Sequence, residues 1–183
     1  RAASSGGGGA VVDFSKGLES FEVGPIRVIT VDMPIPEVVS FVGSFAAGAR
    51  HSPEGQPTLA SMTASMLDKG TVSADRFEIA RMLDRIGAEI NFTTDTHSLR
   101  FSGKFLRDDA GTVLRLLAEQ LRQPAFDAAV FETVRTRQIS GLLQGVDDPD
   151  FRASSQLDRL LYPAAHPNHT VAVDAAIESV RQT

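Results

Sequence analysis

No cysteine occurs anywhere in the 183 residues. Disulfides, thiolate metal sites and cysteine nucleophiles are thereby excluded, while the compartment stays open. A long apolar run is missing too: none approaches the roughly 18 residues that a membrane-crossing helix requires. Nor is there a surplus of positive charge. Lys and Arg number 18 against 23 Asp and Glu, for a formal charge of −5. The cations are also dispersed, with Arg76, Arg81 and Arg85 interleaved with acids. Nucleic acid is therefore a poor match as the main partner. What is present is ordinary for a globular chain, 42% hydrophobic and 22% charged, and the length suffices for one well-filled core.

Residues 1–10 are small and glycine-rich and read as a flexible lead-in, leaving 11–183 as a single domain. A phosphate-cradling glycine loop would need a strand before it and a Lys-Ser/Thr after it, and it has neither.

Apolar periodicity divides the rest. Phe21–Val23 and Ile26–Val31 read as strands around a Gly24-Pro25 turn, and Val38–Phe45 as a third strand. A helix follows from Pro57-Thr58 to Lys69, closed by Gly70. A second opens at Ser73–Arg76, with Phe77, Ile79, Ala80, Leu83 and Ile86 as its expected buried side and Gly87 as its stop. Strands Glu89–Thr94 and His97–Phe105 come next; Leu99, Phe101, Gly103 and Phe105 share one face of the second. Helices are then expected from Asp108-Asp109 to Arg122, from Asp127 to about Gly145 and from about Asp150 to Leu161, with a further helical start near Val173. For the first of these three, Val113, Leu114, Leu117, Ala118 and Leu121 form the apolar stripe. There is no βαβ alternation and no internal repeat. The expectation is an α+β fold, a mostly antiparallel sheet with helices packed on one face.

Several short motifs lie in a fixed order along this frame. A strand ends in Gly48-Ala49-Arg50, a loop carries Gly55, and a helix closes in Lys69-Gly70-Thr71. Further on come Gly87–Thr94, Leu121–Phe126, Asp147-Asp148-Pro149 and Tyr162–Pro167. Together they resemble the pitrilysin/insulinase metallopeptidases, the family that includes the mitochondrial processing peptidase, from about Leu18 to the C-terminus. In that family the helix before Lys-Gly-Thr carries His-x-x-Glu-His. Two His four residues apart grip one zinc ion, and the Glu activates a water. Here the five slots read Ser61-Met62-Thr63-Ala64-Ser65. Neutral hydroxyls are poor zinc ligands, and Ala64 cannot act as a base. The third-ligand slot, counted from Asp147-Asp148-Pro149, falls near Ser140 and Gly141, again without a carboxylate.

The resemblance therefore implies a non-catalytic domain with no metal or other cofactor of its own. Zinc is expected on a homologous, zinc-bearing half or subunit, with a peptide as substrate of the assembly. It also implies that the family domain continues beyond Thr183, and it suggests a bacterial periplasmic or cell-envelope setting. The alternative is a structural scaffold, like the core proteins of the respiratory bc1 complex. A new enzyme built on Ser61 or Ser65 lacks a His or Lys base within helical reach.

Asn91, Phe92, Thr93 and Thr94 are the positive candidates. In active relatives this strand is an exposed edge that pairs with an extended peptide, and pairing needs only free backbone groups. Phe92 stands where the family carries a small Ala. His51, His97, His166 and His169 are expected to have structural or surface roles, since Pro167 opposes a helix that would aim the last two together. Asp147–Asp150 reads as a solvated turn and helix cap. Arg50 is expected to hold the following loop through an ion pair.

Overall fold

The computed structural model describes residues 17–33 and 37–183. The glycine-rich lead-in lies outside the described residues. The chain divides into two compact units, Arg1–Glu37 and Val38–Thr183.

The first unit contributes an antiparallel hairpin. Strand β1, Leu18–Val23, pairs with β2, Ile26–Val31, in a register that sets Val23 opposite Ile26. Gly24 has φ +59. A positive φ followed by the fixed negative φ of Pro25 is the turn that matches strand twist in a two-residue loop.

The second unit is built on a three-stranded antiparallel sheet in the order β3-β5-β4. These strands are β3, Val38–Phe45, β4, Glu89–Thr94, and β5, Leu99–Leu106. Around them lie α1, Leu59–Leu67, α2, Arg76–Ile86, α3, Ala110–Arg122, α4, Ala128–Asp147, α5, Pro149–Leu161, and α6, Val173–Gln182. The α+β order expected from the sequence is the order observed.

One face of the sheet is covered. Ile90, Phe105 and the helical residues Ile79, Val113, Leu116 and Leu117 form the main core, with Val39, Phe41, Phe92 and Phe101 packed against it. On the other face Ser40, Ser44, Arg100 and Lys104 are exposed. The strands obey the alternation that half-burial requires.

Two cross-strand pairs explain glycines inside the sheet. Phe41 lies opposite Gly103, and Gly43 lies opposite Phe101. A Cβ on Gly43 would run into the Phe101 ring. One on Gly103 would meet both the Phe41 ring and the Glu89 carbonyl oxygen. Each aromatic ring thus occupies the space its facing glycine leaves empty.

Helix stripes depart from the expected faces in two places. In α2, Phe77 is 58% exposed and Ala80 is exposed. Arg76 lies over the Phe77 ring at 4.6 Å, in solvent rather than in the core. In α3, Leu114 and Ala118 point outward and Leu116 and Gln120 inward. The buried stripe is therefore Val113, Leu116, Leu117 and Gln120, rotated from the one expected. The α2 start follows its sequence: Asp75 accepts from the amides of Phe77 and Glu78, and the Glu78 carboxylate accepts from the Asp75 amide, a capping box.

The sequence motifs act as braces. Ala49 and Arg50 donate their amides to the carbonyls of Asp95 and Thr96 at 3.0 and 2.9 Å. Gly48 sits so close to this β4–β5 turn that a Cβ would strike Ser98, Asp95 and His97. Likewise Val72 donates to Gln123 at 3.1 Å and Ala125 to Gly70 at 3.0 Å, joining the Lys69–Thr71 segment to Leu121–Phe126. A third link clasps the start of α1 to α6: the buried hydroxyls of Thr58 and Ser179 are 2.7 Å apart.

Candidate functional site

Helix α1 holds the slots Ser61, Ala64 and Ser65. On the adjoining side of the helix Met62 and Met66 are buried, each 1% exposed. Ser61 donates its hydroxyl to the Thr58 carbonyl at 2.8 Å, and Ser65 to the Ser61 carbonyl at 2.9 Å. Both protons are thus spent on the helix's own backbone. Ala64 is buried and offers no polar atom. None of the three positions offers the imidazole or carboxylate that the metal motif requires.

The slots nevertheless border a cavity of about 210 Å³. Ala64, Ser65, Asp68 and Lys69 form its α1 wall, Asn91 and Phe92 its β4 wall, and Val134, Arg137 and Gln138 its α4 wall. The structure thus brings two slots and half of the edge-strand candidate to one place. Ser61, Thr93 and Thr94 do not line it. Ser140 and Gly141, reached by counting back from the Asp-Asp-Pro turn, do not line it either. Ser140 is exposed and bonds to the Thr136 carbonyl at 2.9 Å. Arg137 and Gln138 are the polar α4 residues at the site, and sequence reasoning missed them. Their signal was helical spacing, three and four residues beyond the buried Val134.

Strand β4 pairs only with β5 among the described residues, so its other side is an edge. Asn91 and Thr93 are exposed, while Phe92 and Thr94 are half-buried. Phe92 also packs against both hydrophobic clusters of the second unit.

Electrostatics here is simple. Lys69 Nζ and Asp68 Oδ2 are 2.7 Å apart. The acids with a displaced pKa lie elsewhere and serve turns. Asp95 accepts hydrogen bonds from the amides of His97 and Ser98 and from the Ser98 hydroxyl. These contacts, the His97 amide first, lower its pKa to about 2. Glu119 is lowered mainly by the Ser73 hydroxyl, which donates to it.

The four His have local tasks or none. His166 stacks on Tyr162 at 4.6 Å and accepts the Asn168 amide, whereas His169 donates Nδ1–H to the Tyr162 carbonyl at 2.8 Å. His97 Nδ1 accepts from Arg50 at 3.3 Å. Arg50 is therefore structural through a hydrogen bond, and the ion pair expected for it is not formed with any described carboxylate. Asp148 caps α5 by accepting the amides of Asp150 and Phe151. Among the described residues no three His, Asp or Glu side chains gather as a metal site.

A larger cavity, about 350 Å³, lies on a different face of α1, between Leu59, Leu67, Leu99, Leu121 and Phe126. Its lining is mainly apolar, and His51 is its one titratable group. No helix among the described residues is long and apolar enough to cross a membrane.

Comparison with known proteins agrees with this geometry. A model of the insulinase family, peptidase family M16, matches residues 27–173. The chain is 29% identical over 119 residues to "Non-peptidase homolog YmxG" of Helicobacter pylori, covering 65% of this chain and 28% of that protein. It is 24% identical over 146 residues to "Uncharacterized zinc protease YmxG" of Bacillus subtilis, covering 80% of this chain and 35% of that protein. The chain thus spans about a third of these relatives' length. Among solved structures, a peptidase M16 inactive domain from Pseudomonas fluorescens superposes with a TM-score of 0.78 at 20% identity. That match covers 90% of this chain and 42% of the other, and it shows the shared fold.

Proposed function

The chain belongs to the insulinase family, peptidase family M16, and on that premise we propose that it is a non-catalytic domain which binds extended peptide and assembles with a zinc-bearing half. The observation that carries this reading is the cavity in which Ala64 and Ser65 face Asn91 and Phe92. The metal motif's place holds no ligand, yet it still adjoins a strand edge. An edge can take up a peptide strand through backbone N–H and C=O groups alone, so binding outlives loss of the metal. Zinc and the attacking water belong to the partner half, and this domain contributes a wall of the peptide chamber. Electrostatic help to a reaction can cross such an interface while the metal stays on the other side.

Reconstitution tests this. The whole chain, purified and dialysed against trace zinc, is expected to hold no zinc by elemental analysis and to leave an extended fluorescent peptide uncut while binding it. Mixed with a family member from the same source that carries His-x-x-Glu-His, it should co-elute in size-exclusion chromatography and raise cleavage of that peptide. Stoichiometric zinc, or chelator-sensitive cleavage by the chain alone, would refute the non-catalytic reading. Co-elution with no change in cleavage would favour the scaffold alternative.

A further inference from the structure

We infer that the cavity between α1, β4 and α4 is a receptor for a carboxylate carried by an extended peptide, with Arg137 as its anchor. This deepens the reading of β4 as a peptide-pairing edge and rests on it.

Three charged side chains line the cavity, Asp68, Lys69 and Arg137. The first two engage each other at 2.7 Å, so their charges cancel locally. Arg137 has no carboxylate partner among the described residues. Its neighbour on α4 behaves differently: Arg135 is paired with Glu132 at 2.7 Å and lies over the Phe131 ring at 4.9 Å. Only Arg137 brings an uncompensated positive charge to the cavity. Beside it stands Gln138, whose amide can donate a further hydrogen bond.

A guanidinium fork matches a carboxylate in two parallel hydrogen bonds, which a single ammonium cannot do. The volume, about 210 Å³, takes a carboxylate-bearing side chain with a few waters, at roughly 30 Å³ per water. Position supplies the last link. Asn91 and Phe92 belong both to the cavity wall and to the β4 edge. A strand added to β4 sends alternate side chains to each face, so one set is delivered at this wall.

The test uses three N-terminally blocked peptides of one extended Thr/Val sequence, titrated into the whole chain by fluorescence anisotropy. The first has a central Glu and an amidated end, the second a central Gln and an amidated end, the third a central Gln and a free C-terminal carboxylate. The Glu peptide is expected to bind about fivefold tighter than its Gln counterpart. That advantage should shrink in high salt and vanish in Arg137→Gln, with the Gln peptide unaffected. An advantage for the third peptide alone, again lost in Arg137→Gln, supports the receptor and makes the chain terminus its ligand. Equal binding of all three by the unaltered chain overturns the carboxylate receptor and leaves the β4 edge standing. No binding by any of them overturns both. An advantage that survives Arg137→Gln overturns Arg137 as the anchor, with circular dichroism confirming that the variant is folded.

Discussion

Replacing Gly43 with Ala puts a methyl group where the Phe101 ring now lies, since the ring's Cζ, Cε1 and Cε2 are the nearest atoms to a Cβ there. The ring must swing aside, and overpacking of this kind costs about 1–3 kcal/mol. Phe101→Leu shortens the side chain past the clashing atoms and by itself should cost about 1 kcal/mol. The double variant removes the clash, while the new methyl group at position 43 recovers roughly 0.5 kcal/mol of backbone entropy. We therefore expect about 2 kcal/mol lost in Gly43→Ala, about 0.5 in the double, and a coupling near −2.5 kcal/mol in a double-mutant cycle by urea denaturation. Gly103 is the control. Its Cβ would meet the Glu89 carbonyl as well as the Phe41 ring, so Phe41→Leu should not rescue Gly103→Ala. Additivity within about 0.5 kcal/mol for the Gly43 pair would refute the ring-over-glycine account. The outcome bears on the candidate site, because Phe101 lies opposite Phe92 in the β4–β5 register.

Phe92→Ala should lower stability by about 2 kcal/mol in the same denaturation assay, because the ring touches both clusters but is only half-buried; affinity for an extended peptide should hold or rise, and a fall would contradict the reading that the ring narrows the groove. Ser179→Ala leaves the buried Thr58 hydroxyl without its partner and should cost about 2 kcal/mol, whereas adding Thr58→Val should return most of it. Asp95 has a folded pKa of about 2 against 3.8 unperturbed. Its contribution to stability is complete above that unperturbed value and is lost as pH falls through about 2. The amide resonances of His97 and Ser98 should titrate with a midpoint near 2, and a midpoint close to 3.8 would mean the turn does not bind the carboxylate.

Strands were the most legible part of the sequence. Alternation placed Val38–Phe45 and Glu89–Thr94 to the residue, since a one-position slip would turn every apolar side chain outward. Helix faces were less legible. An apolar residue near a helix end, such as Phe77, stays 58% exposed with Arg76 lying over its ring. Gln120 is 1% exposed in α3, and no hydrophobic pattern announces a buried amide. Family motifs placed the slots Ser61, Ala64 and Ser65 on α1, but counting back from Asp147 missed the α4 residues at the cavity. Position along a helix is set by its packed face, here by Val134, and not by distance from a turn. That the motifs survive without the metal has a physical reason in Gly48 and the Lys69–Thr71 segment: they brace loops, a task independent of chemistry.

The clasp between Thr58 and Ser179 joins positions 121 residues apart, and this bears on the order in which the molecule assembles. Closing a loop costs chain entropy that grows with its length, whereas the β4–β5 hairpin closes over the short turn between Thr94 and Leu99. The hairpin and the core it shares with α2 and α3 are therefore expected to form early, and the start of α1 to be clasped only when α6 arrives. On a ribosome, the start of α1 would wait for its clasp through the synthesis of the 121 residues that separate Thr58 from Ser179. Pulse-labelled hydrogen exchange would read this directly, as protection of α1 amides lagging behind that of β5.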